Sequence, residues 1–174
     1  MSTGHIPALQ LRPEQPAEAS VIDALHHMAF GRSAEGEVVA RLRAAGALAI
    51  SLVAVVGERL IGHVAFSPVT SAAGVACGLG LGPVAVDADH RRRGIGARLV
   101  QAGLERARAD GWPAVFVVGD FAYYGRFDFV PATSRGLHCK WPGTTDYFLM
   151  LELRPDSRTG TSGLVQYHPA FDAV

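Results

Sequence analysis

The residues of this sequence that are best suited to chemistry form one loop between an apolar run and a helical pattern. The loop consists of Arg91, Arg92, Arg93, Gly94, Ile95, Gly96 and Ala97. The preceding run, residues 83–86, is typical of a buried strand, whereas the residues after the loop have the apolar spacing of a helix. The first N–H groups of a helix lack partners and lie at its positive end, and glycines let an anion approach the backbone closely. The loop therefore predicts a diphosphate site.

Several kinds of loop share these features. A dinucleotide-binding turn requires G-x-G-x-x-G, and Leu99 stands at the position of its third glycine. In favour of that turn, Asp120 follows at a distance similar to that of the fold's ribose-binding acid. No lysine–serine pair marks a Walker loop, and a solvated basic turn before a surface helix is the plain alternative. The pattern Arg91-x-x-Gly94-x-Gly96 resembles instead the acetyl-CoA signature, R/Q-x-x-G-x-G/A, of the GCN5-related N-acetyltransferase (GNAT) superfamily.

The elements that must position the loop are predicted from the apolar spacing. The order is β-α-α-β-β-β-α-β-α-β-β, followed by a tail strand near residues 163–167. The fourth strand, residues 75–86, contains three glycines and Pro83, which favour a strand that bulges and parts from its neighbour. This order resembles the GNAT fold, an α/β (α+β) fold with a mixed central sheet whose fourth strand splays from the fifth.

Two predicted helices carry apolar stripes that should face the sheet. The first stripe consists of Val21, Ile22, Leu25, Met28 and Ala29. The stripe of the helix after the loop consists of Ile95, Leu99, Gly103 and Ala107. A glycine inside a helix costs roughly 1 kcal/mol relative to alanine, so Gly103 indicates close packing on the sheet.

The bulk composition restricts the classes of function. A length of 174 residues fits a single domain spanning residues 1–174, and 49% hydrophobic residues are enough for a full core. Lys+Arg and Asp+Glu number 16 each, which weighs against nucleic acid as the main partner. Cys77 and Cys139 form no metal-binding or disulfide pattern. Without a signal segment or a long apolar run, no membrane association and a cytoplasmic location are expected.

The resemblance to GNAT proteins implies a binding site for acetyl-CoA and a proton donor. It implies that the backbone of Val84, Ala85 and Val86 pairs with the pantetheine amides, and that residues 91–97 hold the pyrophosphate. Tyr124 falls on the tyrosine that in many members donates a proton to the departing CoA thiolate; a purely structural aromatic helix face is the alternative. Asp128 stands where the family has glycine, and aspartate tolerates positive φ better than most residues.

The expected activity is direct transfer of an acetyl group from acetyl-CoA to a primary amine, with a small-molecule acceptor favoured and no metal. The alternatives are a non-catalytic CoA-binding sensor or interaction module, and an acetyltransferase acting on aminoacyl-tRNA or protein. His63, His138, Asp87 and a water chain stay open as the general base.

The acceptor is expected to meet the first two helices and a last hairpin with its turn near residues 141–146. Basic residues in these regions hint at an acidic acceptor; they are Arg32, Arg135, His138 and Lys140. The apolar tail is expected to be ordered, either over a sheet edge or against a second subunit in a homodimer.

Overall fold

The apolar runs form one sheet in the part of the chain that the computed structural model describes, residues 8–155 and 163–174. It has nine strands there, with β1-β2-β3-β4-β5-β8-β6 as the main order and β9 joining β3 to β7. The strands are β1 (Leu9–Pro13), β2 (Ile50–Val56), β3 (Arg59–Ser71), β4 (Ala76–Val86), β5 (Ala114–Val118), β6 (Val130–Pro131), β7 (Leu137–Cys139), β8 (Phe148–Glu152) and β9 (Gly163–Gln166).

Helices cover both faces of this sheet. The helices are α1 (Ala19–Phe30), α2 (Ala34–Ala44), α3 (Ile95–Ala109) and α4 (Phe121–Tyr124). Alternation along β2 separates the two layers: Leu52 and Ala54 belong to the core with α3, whereas Val53 and Val55 pack with residues of α1 and α2. None of the helices formed by the described residues combines the length and apolarity that a membrane crossing requires.

The fourth strand splays from the fifth, as predicted. β4 and β5 are parallel but pair only at Leu79–Val115 and Gly80–Phe116. Beyond this point the register of β4 against β3 also shifts, because Val64 lies opposite Val84 and Phe66 lies opposite Leu81. Gly82 has φ +136°, which favours glycine, and Pro83 has no N–H to donate. These two residues therefore bulge the strand where it leaves β5.

Two local predictions are corrected. In α1, Ile22 and Leu25 are buried as expected, but Val21 and Met28 are 49% and 79% exposed, and His26 is buried instead. The predicted last hairpin is also wrong, since β7 and β8 do not pair with each other. β8 pairs with β5 and β6, whereas β7 pairs in parallel with β9.

The predicted tail strand is present as β9. It pairs with Thr70 and Ser71, on the stretch of β3 that continues past the end of its pairing with β2. Val165 and Tyr167 are buried, and a 3-10 turn follows at Pro169–Ala173. The tail thus belongs to the sheet of its own chain.

The stripe of α3 is confirmed, and its glycine is in close contact with the sheet. A Cβ atom at Gly103 would overlap the ring of Phe66, a fully buried residue of β3.

Gly103→Ala should therefore lower the free energy of unfolding by about 1–3 kcal/mol in urea titrations, because overpacking outweighs the better helix propensity of alanine. Gln101→Ala, on the exposed face of α3, is the control and should change it by less than about 0.5 kcal/mol. A Gly103→Ala protein as stable as the control would contradict this packing.

Candidate active site

The arginine–glycine loop ends in an open helix terminus. Gly94 precedes α3 with φ +76°, a left-handed conformation that suits glycine. The first intrahelical bond is donated by the Arg98 N–H to the Gly94 carbonyl, at 3.0 Å. The N–H groups of Ile95, Gly96 and Ala97 lie ahead of that bond and have no partner in the helix. The loop therefore presents three donors at the positive end of a 15-residue helix.

The arginines of the loop have different surroundings. The Arg91 guanidinium donates to the Val86 carbonyl at 3.1 Å and to the Ala29 carbonyl at 2.9 Å, so it joins the loop to the last turn of α1. Arg92 adopts φ +60°, and Arg93 and Arg98 are exposed like Arg92. These last three side chains make no hydrogen bond or ion pair with the described residues.

The carboxylates near the loop serve as caps. Asp87 accepts from the Asp89 N–H, His90 Nδ1 and Arg59, and the bond from His90 is the main reason that the pKa of Asp87 is lowered. Asp120 accepts from the Ala122 N–H at 2.8 Å and caps α4. Asp87 is thus committed to the loop rather than free as a base, and the ribose-binding alternative for Asp120 loses its support.

The peptide groups of residues 84–86 do not all face the same way. The Asp87 N–H donates to the Ile61 carbonyl, and Ala85 lies opposite His63, two residues further along each strand. Alternation along an antiparallel ladder then turns the N–H and C=O groups of Val84 and Val86 away from β3. The Val86 carbonyl already accepts from Arg91. Val84 therefore offers a complete peptide pair to the gap between β4 and β5.

A cavity of about 500 Å³ occupies this gap and extends under α1 and α2. Such a volume is in the range of small-ligand sites. It is lined by Phe30, Glu35, Val38, Leu81, Gly82, Pro83, Val84, Val117, Val118, Tyr124, Trp141, Thr144, Tyr167, Phe171 and Val174.

The two adjacent tyrosines of α4 face different surroundings. Tyr124 lines the cavity, and its ring packs so closely on Gly119 that a Cβ atom there would overlap it. Tyr123 is instead near the start of α3, since a Cβ at Gly96 would lie 3.4 Å from its hydroxyl oxygen. Asp128 has φ +68°, the conformation that a glycine would take at that position. The tyrosine predicted as the proton donor is therefore the one that lines the cavity.

Burial raises the pKa of Tyr124 to about 12, with a smaller contribution from Tyr123. The phenol is thus protonated at neutral pH, as a donor must be. Transfer from this phenol to a thiolate that keeps a pKa near 8.5 would be uphill by several pKa units. The same apolar surroundings also raise the pKa of a thiolate buried there, which reduces the difference.

Two of the bases left open by the sequence lie away from the cavity lining. His138 is exposed on β7. His63 is completely buried in a network that starts at His26: His26 Nε2 and His63 Nδ1 are 2.8 Å apart, and His63 Nε2 lies 2.8 Å from Ser51 Oγ. Ser51 donates to Glu14, which also accepts two bonds from Arg43. This arrangement positions His63 as part of a structural network.

Two polar residues of the cavity were not predicted from the sequence. Glu35 is 5% exposed, and its carboxylate accepts from the Arg32 guanidinium. Tyr167 is 8% exposed, and its hydroxyl has no hydrogen-bond partner among the described residues. A charged residue in the first turn of α2 is the one sequence signal for Glu35, and it does not reveal that this turn faces the gap in the sheet.

The hint of an acidic acceptor is not supported by the charges around the cavity. Three of the four basic residues that suggested an acidic acceptor are in ion pairs. Arg32 pairs with Glu35, Arg135 with Glu152, and Lys140 with Asp172. No lysine, arginine or histidine side chain of the described residues lines the cavity.

Comparisons with known proteins identify the family. A profile of the acetyltransferase (GNAT) domain matches residues 10–132. The chain belongs to the GNAT acetyltransferases. Its relatives include the N-acetyltransferase YhbS of Escherichia coli K12, 40% identical over 163 residues that cover 93% of this chain and 98% of YhbS. The N-acetyltransferase YjhQ of the same strain is 34% identical over 131 residues, which cover 72% of each chain.

Solved structures of GNAT proteins agree with this fold. The structure of E. coli YhbS in complex with CoA matches with a TM-score of 0.91 at 38% identity, covering 99% of this chain and 96% of that one. A GNAT acetyltransferase from Brucella melitensis in complex with acetyl-CoA matches with a TM-score of 0.80 at 37% identity, covering 95% and 99%. This GNAT protein is an N-acyltransferase that uses acetyl-CoA. Among the residues that the structure describes, no group of three or more His, Cys, Asp or Glu side chains could hold a metal ion.

The buried histidine network makes stability depend on pH. Burial lowers the pKa of His26 from 6.5 to about 3 and also lowers that of His63. The unfolded chain therefore binds protons below pH 6.5 that the folded chain does not. We expect the free energy of unfolding to fall as the pH decreases from 6.5, with His26 contributing up to about 1.4 kcal/mol per pH unit.

Urea titrations between pH 7.5 and pH 4.5 measure this slope. His26→Gln should reduce it, whereas His27→Gln, at an exposed position of the same helix, should leave it unchanged. Equal slopes in the two variants would show that His26 is not held neutral by the fold.

Proposed function

We propose that this GNAT enzyme transfers the acetyl group directly from acetyl-CoA to a primary amine of a small molecule. The observation that carries the proposal is the cavity in the gap between β4 and β5, which reaches from Tyr124 to the first two helices. In the reaction the amine nitrogen forms a bond to the acetyl carbon, the carbon–sulfur bond breaks, and the amine loses a proton while the sulfur gains one.

The proposed binding surface for CoA has two parts. The N–H groups of Ile95, Gly96 and Ala97 suit a diphosphate, since they are unpaired in α3 and lie at its positive end. Arg92 and Arg93 carry exposed positive charges next to them. The peptide groups of Val84 suit the pantetheine amides. In this proposal Ala85 contributes as a member of the β3–β4 ladder, and Arg91 by holding the loop against α1.

Tyr124 is the proposed proton donor to the CoA thiolate. Its placement on the cavity wall and its protonated state at neutral pH support this role. Gly119 and Phe129 fix its ring, the latter in an edge contact at 5.8 Å between ring centroids. Packing therefore holds the phenol in place. A half-buried phenol beside a cavity of small-ligand size favours catalysis over a CoA sensor. The balanced charge of the chain gives no support to a nucleic-acid-linked acceptor.

Gly96→Glu tests the diphosphate site. The change places a carboxylate at the helix N-terminus where an anion would bind, so CoA affinity measured by calorimetry should fall by at least about 100-fold. Gln101→Glu adds the same charge further along α3 and should leave the affinity within about threefold. NADH should not compete with CoA. A folded Gly96→Glu protein that binds CoA as the wild type does would disprove the assignment of the loop.

Tyr124→Phe tests the proton donor. Removal of the hydroxyl keeps the ring packing, so the melting temperature should hardly change while kcat falls by about 10²–10⁴. Calorimetry should show little change in CoA affinity.

Tyr123→Phe is the matched control, because its hydroxyl lies near Gly96 rather than on the cavity wall. It should retain kcat within about threefold. A Tyr123→Phe enzyme slower than Tyr124→Phe would mean that the donor is the other tyrosine, and two silent variants would mean that neither phenol supplies the proton.

A further inference from the structure

The part of the cavity under α1 and α2 has predominantly apolar walls. Phe30 and Val38 contribute from the two helices, and Trp141 and Phe171 come from the last third of the chain. Tyr167 joins the latter two in one aromatic cluster, with ring centroids 5.0 Å from Trp141 and 5.3 Å from Phe171. Such walls favour apolar ligands and stabilise an amine cation only through the ring faces.

One acidic side chain, Glu35, lies among these apolar residues. The Glu35 carboxylate is nearly buried, while the Arg32 side chain that pairs with it is 60% exposed. Glu35 Oε1 accepts from both Nε and Nη2 of Arg32, whereas Oε2 accepts a single bond, from Nε at 3.2 Å. A carboxylate offers about four acceptor positions, so Oε2 keeps capacity for another donor.

A second polar side chain, Tyr167, also lines the cavity. Its hydroxyl is buried and has no hydrogen-bond partner within residues 8–155 and 163–174, and its ring packs on Gly80, the last residue of β4 that pairs with β5. An unpaired buried hydroxyl is destabilising, and a ligand that pairs with it would remove that penalty. Thr144, by contrast, already donates to the Trp141 carbonyl at 2.7 Å.

We infer that the acceptor is a compact, apolar primary amine without a carboxylate or phosphate, and that Glu35 Oε2 accepts a hydrogen bond from its amino group. This inference rests on the proposed transfer of acetyl to an amine in the same cavity. Glu35 is thus a specificity-determining residue: it attracts an amino group and repels an acidic one at low local dielectric. Tyr167 provides the second polar contact.

Calorimetry on the CoA-saturated protein tests this inference with two probes, phenethylamine and phenylalanine. The two share a ring and an amino group and differ by one carboxylate. Phenethylamine should bind at least about tenfold more tightly than phenylalanine. Glu35→Gln keeps the shape and removes the charge, so it should weaken phenethylamine about 10–100-fold, as expected for a charge-assisted hydrogen bond.

Two further variants separate recognition from structure. Glu37→Gln alters an exposed acid on the same helix and should leave the affinity for phenethylamine unchanged. Tyr167→Phe should weaken phenethylamine by at least about threefold without lowering the melting temperature, because the lost hydroxyl has no hydrogen-bond partner among the described residues.

The outcomes distinguish the inference from the proposed function. Equal affinities of the wild type and Glu35→Gln, equal affinities for the two probes, or no binding of phenethylamine would overturn the inference. Turnover is measured separately, as acetyl-CoA consumed with phenethylamine. Binding that depends on Glu35 but leads to no acetylation would reject the proposed transfer and retain the recognition of an apolar amine.

Discussion

The cavity, and the peptide groups of Val84 that face it, exist because β4 parts from β5. Two parallel strands in the middle of a sheet normally satisfy each other's peptide groups, and here they do so at only two pairs of residues. Beyond Gly80 the peptide groups of Val84 face a gap rather than a neighbouring strand. Gly82 and Pro83, which open the gap, thus replace backbone hydrogen bonds between the two strands with the cavity in which we propose that CoA binds.

The loop and helix that follow β4 place unpaired N–H groups at the end of this strand. Because β4 runs directly into the loop of residues 87–94, the N-terminus of α3 comes to the end of the same strand. Arg91 fixes the loop to α1 through the Ala29 carbonyl, so the helices on the two faces of the sheet are joined at the site. One charged loop thereby positions the proposed diphosphate site, the strand edge and the wall of the cavity relative to one another. The net charge of the whole chain is zero, and the positive potential is local.

Much of this could be predicted from the sequence, because the signals were local. The glycines of residues 78–82, the loop before α3 and the stripe through Gly103 each specify their own structure within a few residues. The errors arose from contacts between distant parts of the chain. His26 is buried because it contacts His63, 37 residues later in the chain. The buried face of α1 therefore includes His26 and leaves Val21 and Met28 exposed. β7 pairs with β9 rather than β8, and no short-range pattern encodes that choice. In the sequence Glu35 is an ordinary acidic residue at the start of a helix, and only the folded structure shows that it lines the cavity.

The most direct test of this account is a crystal structure of the protein with CoA. We expect the diphosphate oxygens to lie within about 2.7–3.2 Å of the backbone nitrogens of Ile95, Gly96 or Ala97, with the pantetheine amides paired to Val84 in the gap. The sulfur should then be on the side of Tyr124 rather than Tyr123. A CoA molecule bound away from the gap, or with its diphosphate remote from the N-terminus of α3, would contradict it.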